Sequence, residues 1–258
     1  MPQLQRLAVT ATQICDRKID LTREQQHYLN RVLRLQAGDR FIAMDGRGHW
    51  WLAVLEVRET GLFASIAEEI AVNRELPVEV TLMAALPKGN GFDEVVRQAT
   101  ELGVVSIVPV TSDRTLLKPS DQKVERWRRI AAEAAEQSER QIVPTILEPV
   151  SFDVAIKDCG QKYRYICVAR GENRHLWDCL SGIFYPPFVG AVPPSPPPAG
   201  GELSIVIAIG PEGGWTEGEV KRAIELGFEA VSLGSRILRA VTAPIVALSL
   251  IGAAFEKC

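Results

Sequence analysis

A chain of 258 residues with 47% hydrophobic residues can bury a sizeable core and is long enough for one large domain or two modest ones. Its 29 basic and 32 acidic side chains leave a formal net charge of −3, which excludes a protein that coats nucleic acid without specificity, since such binding rests on phosphate neutralisation. Five cysteines without Cys-x-x-Cys spacing argue for reduced thiols, and the scattered His27, His49 and His175 offer no metal set.

No basic stretch followed by an apolar core stands at the start, so no secretory signal is expected. Thr22 and Gln25 have capping-box spacing and predict a helix over about Arg23 to Arg34, with Arg31 and Arg34 three apart on one side. Gly38-Asp39 turns the chain into a strand over Arg40 to Met44. Asp45-Gly46 then signals a hairpin, with Trp50 to Val57 as the return strand and Phe63 to Ala67 as another. Residues 1–73 therefore predict a small β-rich domain, a barrel or a sheet.

From Arg74-Glu75-Leu76-Pro77 onward the pattern changes, and β and α signals alternate through residues 76–258. Strands are expected at Val78 to Ala85, Val104 to Val110, Tyr163 to Ala169 and Leu203 to Ile209. One helix runs from about Phe92 to Leu102 and stops at Gly103. A longer one opens at Ser120 and reaches about Arg140, with Val124, Trp127, Ile130, Ala131 and Ala134 at helical spacing. This alternation predicts an α/β domain with a mostly parallel sheet. Tyr185 to Gly201 is proline-rich and reads as an extended, solvated insertion. Val241 to Phe255, the longest apolar run, falls short of the roughly 20 residues of a membrane span and predicts a buried helix with Pro244 in its first turn.

Two segments stand out for chemistry. Ile205 to Ile209 is an apolar, β-branched run that ends in Gly210-Pro211-Glu212-Gly213-Gly214-Trp215, and Thr216 and Glu219 then have the spacing of a capping box. Strand, tight glycine loop and helix follow in order, and such strand ends are where α/β sheets bind ligands. About twenty residues on, Leu233-Gly234-Ser235-Arg236-Ile237-Leu238-Arg239 repeats the layout after a short strand over Phe228 to Leu233. Together they could form two walls of one pocket; read singly, each could also be a structural turn. Neither the G-x-G-x-x-G fingerprint nor the P-loop is present, which argues against dinucleotide enzymes and P-loop nucleotidases. Basic residues cluster at Arg114, Lys118, Lys123, Arg126, Arg128, Arg129 and Arg140; Lys123 to Arg129 read best as a solvated helix face. For Arg31 and Arg34 phosphate contact and surface charge weigh equally, arginine's planar fork being suited to phosphate.

Taken together these motifs resemble the bacterial 16S ribosomal RNA (uracil-N3) methyltransferases of the SPOUT superfamily. The resemblance rests on Lys88-Gly89, Gln98 to Val104, Ala135-Glu136-Gln137-Ser138-Glu139-Arg140 with Pro144, Ile209 to Gly214, and Leu233 to Arg239, and N-terminally on Leu33-Arg34-Leu35, Gly38-Asp39 and Asp45-Gly46. It implies a C-terminal SPOUT-type α/β domain with a deep trefoil knot, preceded by a small PUA-like β-barrel that binds RNA. It also implies S-adenosylmethionine bound by backbone of three loops: Ala169; Ile209, Gly210, Pro211, Glu212, Gly213 and Gly214; and Leu233, Gly234, Arg236, Ile237, Leu238 and Arg239. Arg236, Arg239 and Glu212 become the candidate catalytic residues, and Arg31, Arg34, Lys88, Arg114 and Arg140 the candidate RNA contacts. No metal is implied. The expected partners are 16S ribosomal RNA or the small ribosomal subunit and a second copy of the chain through the C-terminal helix, without a membrane, in the cytoplasm. The chain departs from the family in one place: the family's Arg-x-Glu-Thr-Ala is here Arg239-Ala240-Val241-Thr242-Ala243. An RNA-binding protein without catalysis, or a ribose 2′-O-methyltransferase of the same fold, are the alternative readings.

Overall fold

The computed structural model describes residues 4–58, 61–71, 74–115, 119–184 and 203–256. Lys118 and the proline-rich stretch 185–201 lie outside them. The chain forms two compact units, one of residues 1–75 with 132–143, the other of 76–131 with 144–258. The return of Ala132–Val143 to the first unit has no signature in the sequence, because it begins inside a continuous helix.

The first unit is a six-stranded sheet of β1 (Arg6–Ala8), β2 (Ile14–Cys15), β3 (Lys18–Asp20), β4 (Arg40–Met44), β5 (Trp50–Arg58) and β6 (Gly61–Ile70). Its order is β1-β4-β5-β6-β3-β2, antiparallel except for β1 beside β4. The period-2 pleat sorts β4 between two cores: Phe41 and Ala43 pack with Ile19, Leu29 and Leu55, while Ile42 and Met44 pack with Trp50 and Ala135.

The capping box of Thr22 and Gln25 forms and starts α1 (Arg23–His27). The helix then widens into a π turn over Tyr28–Val32 and ends earlier than predicted. The N–H of Leu35 reaches back to the carbonyl of Leu29 at 2.9 Å, and Arg34 sits in the left-handed region at φ 57°. A left-handed residue thus reverses the chain as in a Schellman cap, but with a bond one residue wider after the π turn, and brings Leu33 and Leu35 onto the core around Leu29. Arg31 and Arg34 consequently do not share a helix face.

The second unit is a parallel sheet of β7 (Glu79–Ala85), β8 (Ser106–Thr111), β9 (Thr145–Ile146), β10 (Val150–Ser151), β11 (Tyr163–Cys167), β12 (Arg174–His175), β13 (Ser204–Ile209) and β14 (Glu229–Ser232). The order is β10-β8-β7-β13-β11-β14-β12, with β9 against β8. Six helical segments accompany it: α2 (Gly91–Glu101), α3 (Asp121–Gln137), α4 (Phe152–Lys157), α5 (Leu176–Phe184), α6 (Glu217–Glu225) and α7 (Thr242–Phe255). The apolar run of β13 is buried on both faces, as a strand covered by helices on either side must be. Val206 and Ala208 pack with Met83, Phe152, Ile166, Ala223 and Phe228.

The C-terminal helix differs from expectation in its burial. It is apolar all round, but the chain covers only the stripe of Pro244, Ala247, Leu248, Ile251 and Phe255, against α2 and α5. Val246, Leu250 and Ala253 on its other side keep solvent exposure. Among the described residues no helix is long and apolar enough to cross a membrane.

Candidate functional site

Because β13, β11 and β14 are parallel neighbours, their three following loops leave the same edge of the sheet. They enclose a cavity of about 1000 Å³, lined by Val168, Ala169 and Arg170 after β11, Gly210 to Trp215 after β13, and Leu233, Gly234, Arg236, Ile237 and Leu238 after β14. This volume sits at the upper end of small-ligand sites. The two segments read as pocket walls thus meet, and the loop after β11 supplies a third.

Each loop is shaped by its own backbone. The N–H of Gly214 closes a turn on the carbonyl of Pro211 at 2.8 Å, and Gly214 adopts φ 68°, a region costly for a side chain. Gly234 lies at φ 113°, and its N–H is taken by the hydroxyl of Ser232 at 3.1 Å. Gly210 is glycine for a different reason: a Cβ there would lie 3.2 Å from the N of Trp215 and 3.3 Å from its indole Nε1.

The predicted site residues fall into distinct places. Ala169, Ile209 to Gly214, Leu233, Gly234, Arg236, Ile237 and Leu238 all line the cavity. Ile237, 66% exposed, stands among them with its side chain in solvent. Arg239 is exposed and outside the lining; its carbonyl instead accepts the N–H groups of Thr242 and Ala243 at 2.9 Å each, which starts α7. Glu212 lines the cavity, and its Oε1 accepts the backbone N–H of Lys88 at 3.0 Å. Arg114 also lines it, and its guanidinium donates to the carbonyls of Gly213 and Trp215. Arg31 and Arg34 are exposed in the first unit.

Arg140 overturns the expectation of RNA contact. It is 3% exposed, and its Nε and one terminal nitrogen donate to Glu75 Oε2 at 3.1 and 2.5 Å. Glu75 Oε1 accepts the N–H groups of Gln141 and Ile142 at 2.8 and 3.0 Å, so the pair fastens the returning segment inside the first unit. A guanidinium this deeply buried and paired with a carboxylate is out of reach of an RNA phosphate.

The sequence reading missed Cys167, Arg170, Val220, Lys221 and Ile224, all of which line the cavity. Burial pushes the Cys167 thiol well above its ordinary range, so it contributes as a small apolar surface. Val220 and Ile224 stand four apart on α6, a spacing that signals a helix face but not what it faces. The walls combine apolar patches from Val168, Ile209, Trp215 and Leu238 with charge of both signs from Arg114, Arg170, Lys221, Arg236, Glu212 and Glu217. The indole Nε1 of Trp215, buried against Gly210, has no hydrogen-bond partner among the described residues. Apolar walls with exposed loop backbone suit a planar heterocycle carrying a charged tail.

A parallel sheet with a glycine-walled cavity at its strand ends, joined to a β-rich unit, matches two family models: RNA methyltransferase domain over residues 74–252 and RNA methyltransferase PUA domain over residues 21–64. A ribosomal RNA small subunit methyltransferase E from Synechocystis is 46% identical over 98% of this chain and 78% of that protein. One from Bacillus subtilis is 34% identical over 90% and 88%. Among solved structures, a ribosomal RNA small subunit methyltransferase E from Neisseria gonorrhoeae bound to S-adenosyl methionine superposes with a TM-score of 0.81 at 30% identity, covering 98% of both chains. A putative methyltransferase from Legionella pneumophila in complex with the same cofactor superposes at 0.80 with 27% identity, again over 98% of both. The chain belongs to the ribosomal RNA small subunit methyltransferase E family.

Proposed function

We propose that the protein is an S-adenosylmethionine-dependent methyltransferase that acts on N3 of a uridine in 16S ribosomal RNA. The observation that carries this reading is the cavity where the loops after β11, β13 and β14 converge, in a fold shared with two solved relatives that are bound to this cofactor. The residues present fit the group: apolar walls for the adenine, loop backbone of Gly210 to Gly214 and Leu233 to Leu238 for its polar edges, and mixed charge for the amino-acid tail.

The chemistry supplied by the bound cofactor is an electrophilic methyl group on a sulfonium. Uracil N3 must lose a weakly acidic proton to accept it, and the resulting anion needs stabilisation. In this reading Arg236, which is exposed in the cavity lining, provides that stabilisation electrostatically. Glu212 serves mainly to tie its loop to Lys88, so the acceleration comes chiefly from holding N3 in line with the methyl group. Arg31 and Arg34 contact RNA phosphates from the first unit, and Lys88 does so from the second.

The reading extends to the finer architecture. A trefoil knot is the arrangement the family resemblance implies; the placement of β13 between β7 and β11, with the loop after β14 lining the same cavity as theirs, is compatible with it. A PUA-like domain is supported by the PUA family model that matches residues 21–64 of the first unit. The part-exposed apolar side of α7 supports a homodimer, and a ribosomal substrate supports a cytoplasmic location. Val241 does not line the cavity, which removes the motive for reading the chain as catalytically silent.

Methyl transfer to small subunits lacking the modification, followed by digestion to nucleosides, tests the proposal. 3-Methyluridine is the expected product. A 2′-O-methyl nucleoside would assign the ribose reaction instead, and no transfer to either subunits or naked RNA would overturn the proposal.

A further inference from the structure

Glu219 is 0% exposed, although it stands in the first turn of α6. The capping box accounts for only one of its oxygens: Oε2 accepts the N–H of Thr216 at 2.7 Å and its hydroxyl at 3.1 Å. The other oxygen leaves the helix altogether. Oε1 accepts the N–H of Asp113 at 2.9 Å, from a residue 106 positions away in sequence. Burying a carboxylate is unfavourable unless donors meet it, and here the donors come from two separate segments.

Asp113 lies in the turn that follows β8, closed by the N–H of Thr115 on the carbonyl of Ser112 at 3.0 Å. The next residue is Arg114, whose guanidinium holds the carbonyls of Gly213 and Trp215. The carboxylate and the guanidinium therefore act together on the C-terminal half of the glycine loop: Glu219 fixes where the turn after β8 sits, and Arg114 reaches from that turn across Gly213 to Trp215. A Cβ on Gly213 would lie 3.1 Å from Arg114 Cδ, so the arginine lies flat on the loop backbone.

We infer that Glu219 is a positioning residue for cofactor binding: it holds the turn after β8 so that Arg114 locks the glycine loop in its ligand-ready shape. The inference rests on the assignment of the cavity to S-adenosylmethionine. Locking the loop in advance removes the ordering entropy that binding would otherwise lose.

Two Asp113 variants separate this clamp from ordinary helix capping. Asp113→Ala keeps the N–H that Glu219 accepts and removes only the carboxylate, which contacts Thr216 at 3.2 Å and Arg222 at 3.8 Å. Asp113→Pro removes the N–H, and proline suits the second position of a turn. Neither touches the bonds between Thr216 and Glu219. Calorimetry of the full chain with S-adenosylmethionine is expected to give a Kd at least about tenfold higher for Asp113→Pro than for Asp113→Ala, the scale of an unmet buried acceptor. Glu219→Gln, which sets an amide NH2 against the donors of one of the two oxygens, is expected to weaken binding similarly. Turnover at saturating cofactor should stay close to that of the unaltered protein, so that the effect falls on KM. Combining Asp113→Pro with Arg114→Ala should weaken binding no further than the worse single variant, because both act through one clamp. If Asp113→Pro does not fold, Arg114→Ala carries the test alone, with the same expected rise in Kd; an unchanged Kd overturns the inference. Equal Kd values for folded Asp113→Pro and Asp113→Ala also overturn it while leaving the cofactor assignment intact. Failure of the unaltered protein to bind S-adenosylmethionine would overturn the assignment and the clamp together.

Discussion

Glu212 and Lys88, far apart in the chain, are joined by a hydrogen bond of 3.0 Å from the backbone N–H of Lys88 to Glu212 Oε1. The bond ties the glycine loop after β13 to the segment between β7 and α2. A glutamine keeps an acceptor oxygen at this position, whereas an alanine does not. Glu212→Gln is therefore expected to retain methyl transfer within about threefold, and Glu212→Ala to lose more, chiefly through KM. A general base contributes about 100-fold or more to kcat. A loss of that size in single-turnover rates for Glu212→Gln would assign Glu212 to proton removal.

Val241, for which the family resemblance implies a glutamate, packs on the start of α2. A Cβ on Gly91 would lie 2.9 Å from Val241 Cγ1 and 3.3 Å from Pro87 Cγ. Val241→Glu is expected to leave the Kd for S-adenosylmethionine within about threefold, since the neighbouring cavity residues act through backbone. Gly91→Ala is expected to destabilise the protein by about 1–3 kcal/mol through overpacking, as measured by urea unfolding. Relief of that cost by combining Gly91→Ala with Val241→Ala would confirm the contact.

Burial raises the carboxyl of Glu136 above its ordinary 4.5, against the opposing effect of the Ala8 N–H, which it accepts at 2.6 Å; the charge of Glu133 adds to the rise. The folded state then holds this proton more tightly than the unfolded state. The contribution to stability is largest below pH 4.5 and declines as pH rises from there through the folded-state value. Glu136→Gln keeps an acceptor for Ala8 and removes the titration. It is expected to raise the urea midpoint near neutral pH and to leave it little changed below pH 4.5. A variant equally stabilising at both would show that the charge is not responsible.

Arg140 and Arg31 are both arginines of the first unit, and opposite outcomes are expected for them. Arg140→Met leaves the half-buried Glu75 with its backbone donors and should cost roughly 2–4 kcal/mol in unfolding free energy. Arg31→Ala should leave the melting temperature unchanged, weaken binding to small-subunit RNA and reduce the salt dependence of that binding by about one ion. An Arg31 variant with unaltered RNA affinity would remove it from the RNA contacts.

Local signals in the sequence proved reliable where their causes are local. The two capping boxes, at Thr22 with Gln25 and at Thr216 with Glu219, form as spaced. The hairpin at Asp45-Gly46 joins β4 to β5, and Pro244 sits in the first turn of α7. The end of the first helix was not legible, because it depends on Leu33 and Leu35 reaching the core around Leu29. Nor was the fate of Arg140: a run of basic residues looks alike whether its members face solvent or a half-buried glutamate.

The amino-acid sequence by itself determined the division into a β-rich and an α/β part, the glycine loops that end β13 and β14, and the family to which they point. These follow from residue type and short spacing. The tertiary structure decided which residues share the cavity, that Arg239 stays out of its lining, and that Glu219 spends one oxygen on its helix and the other on Asp113. The reason is physical: β11 lies between two strands that come after it in the chain, so the site's partners are set by sheet order and burial, which no short spacing encodes.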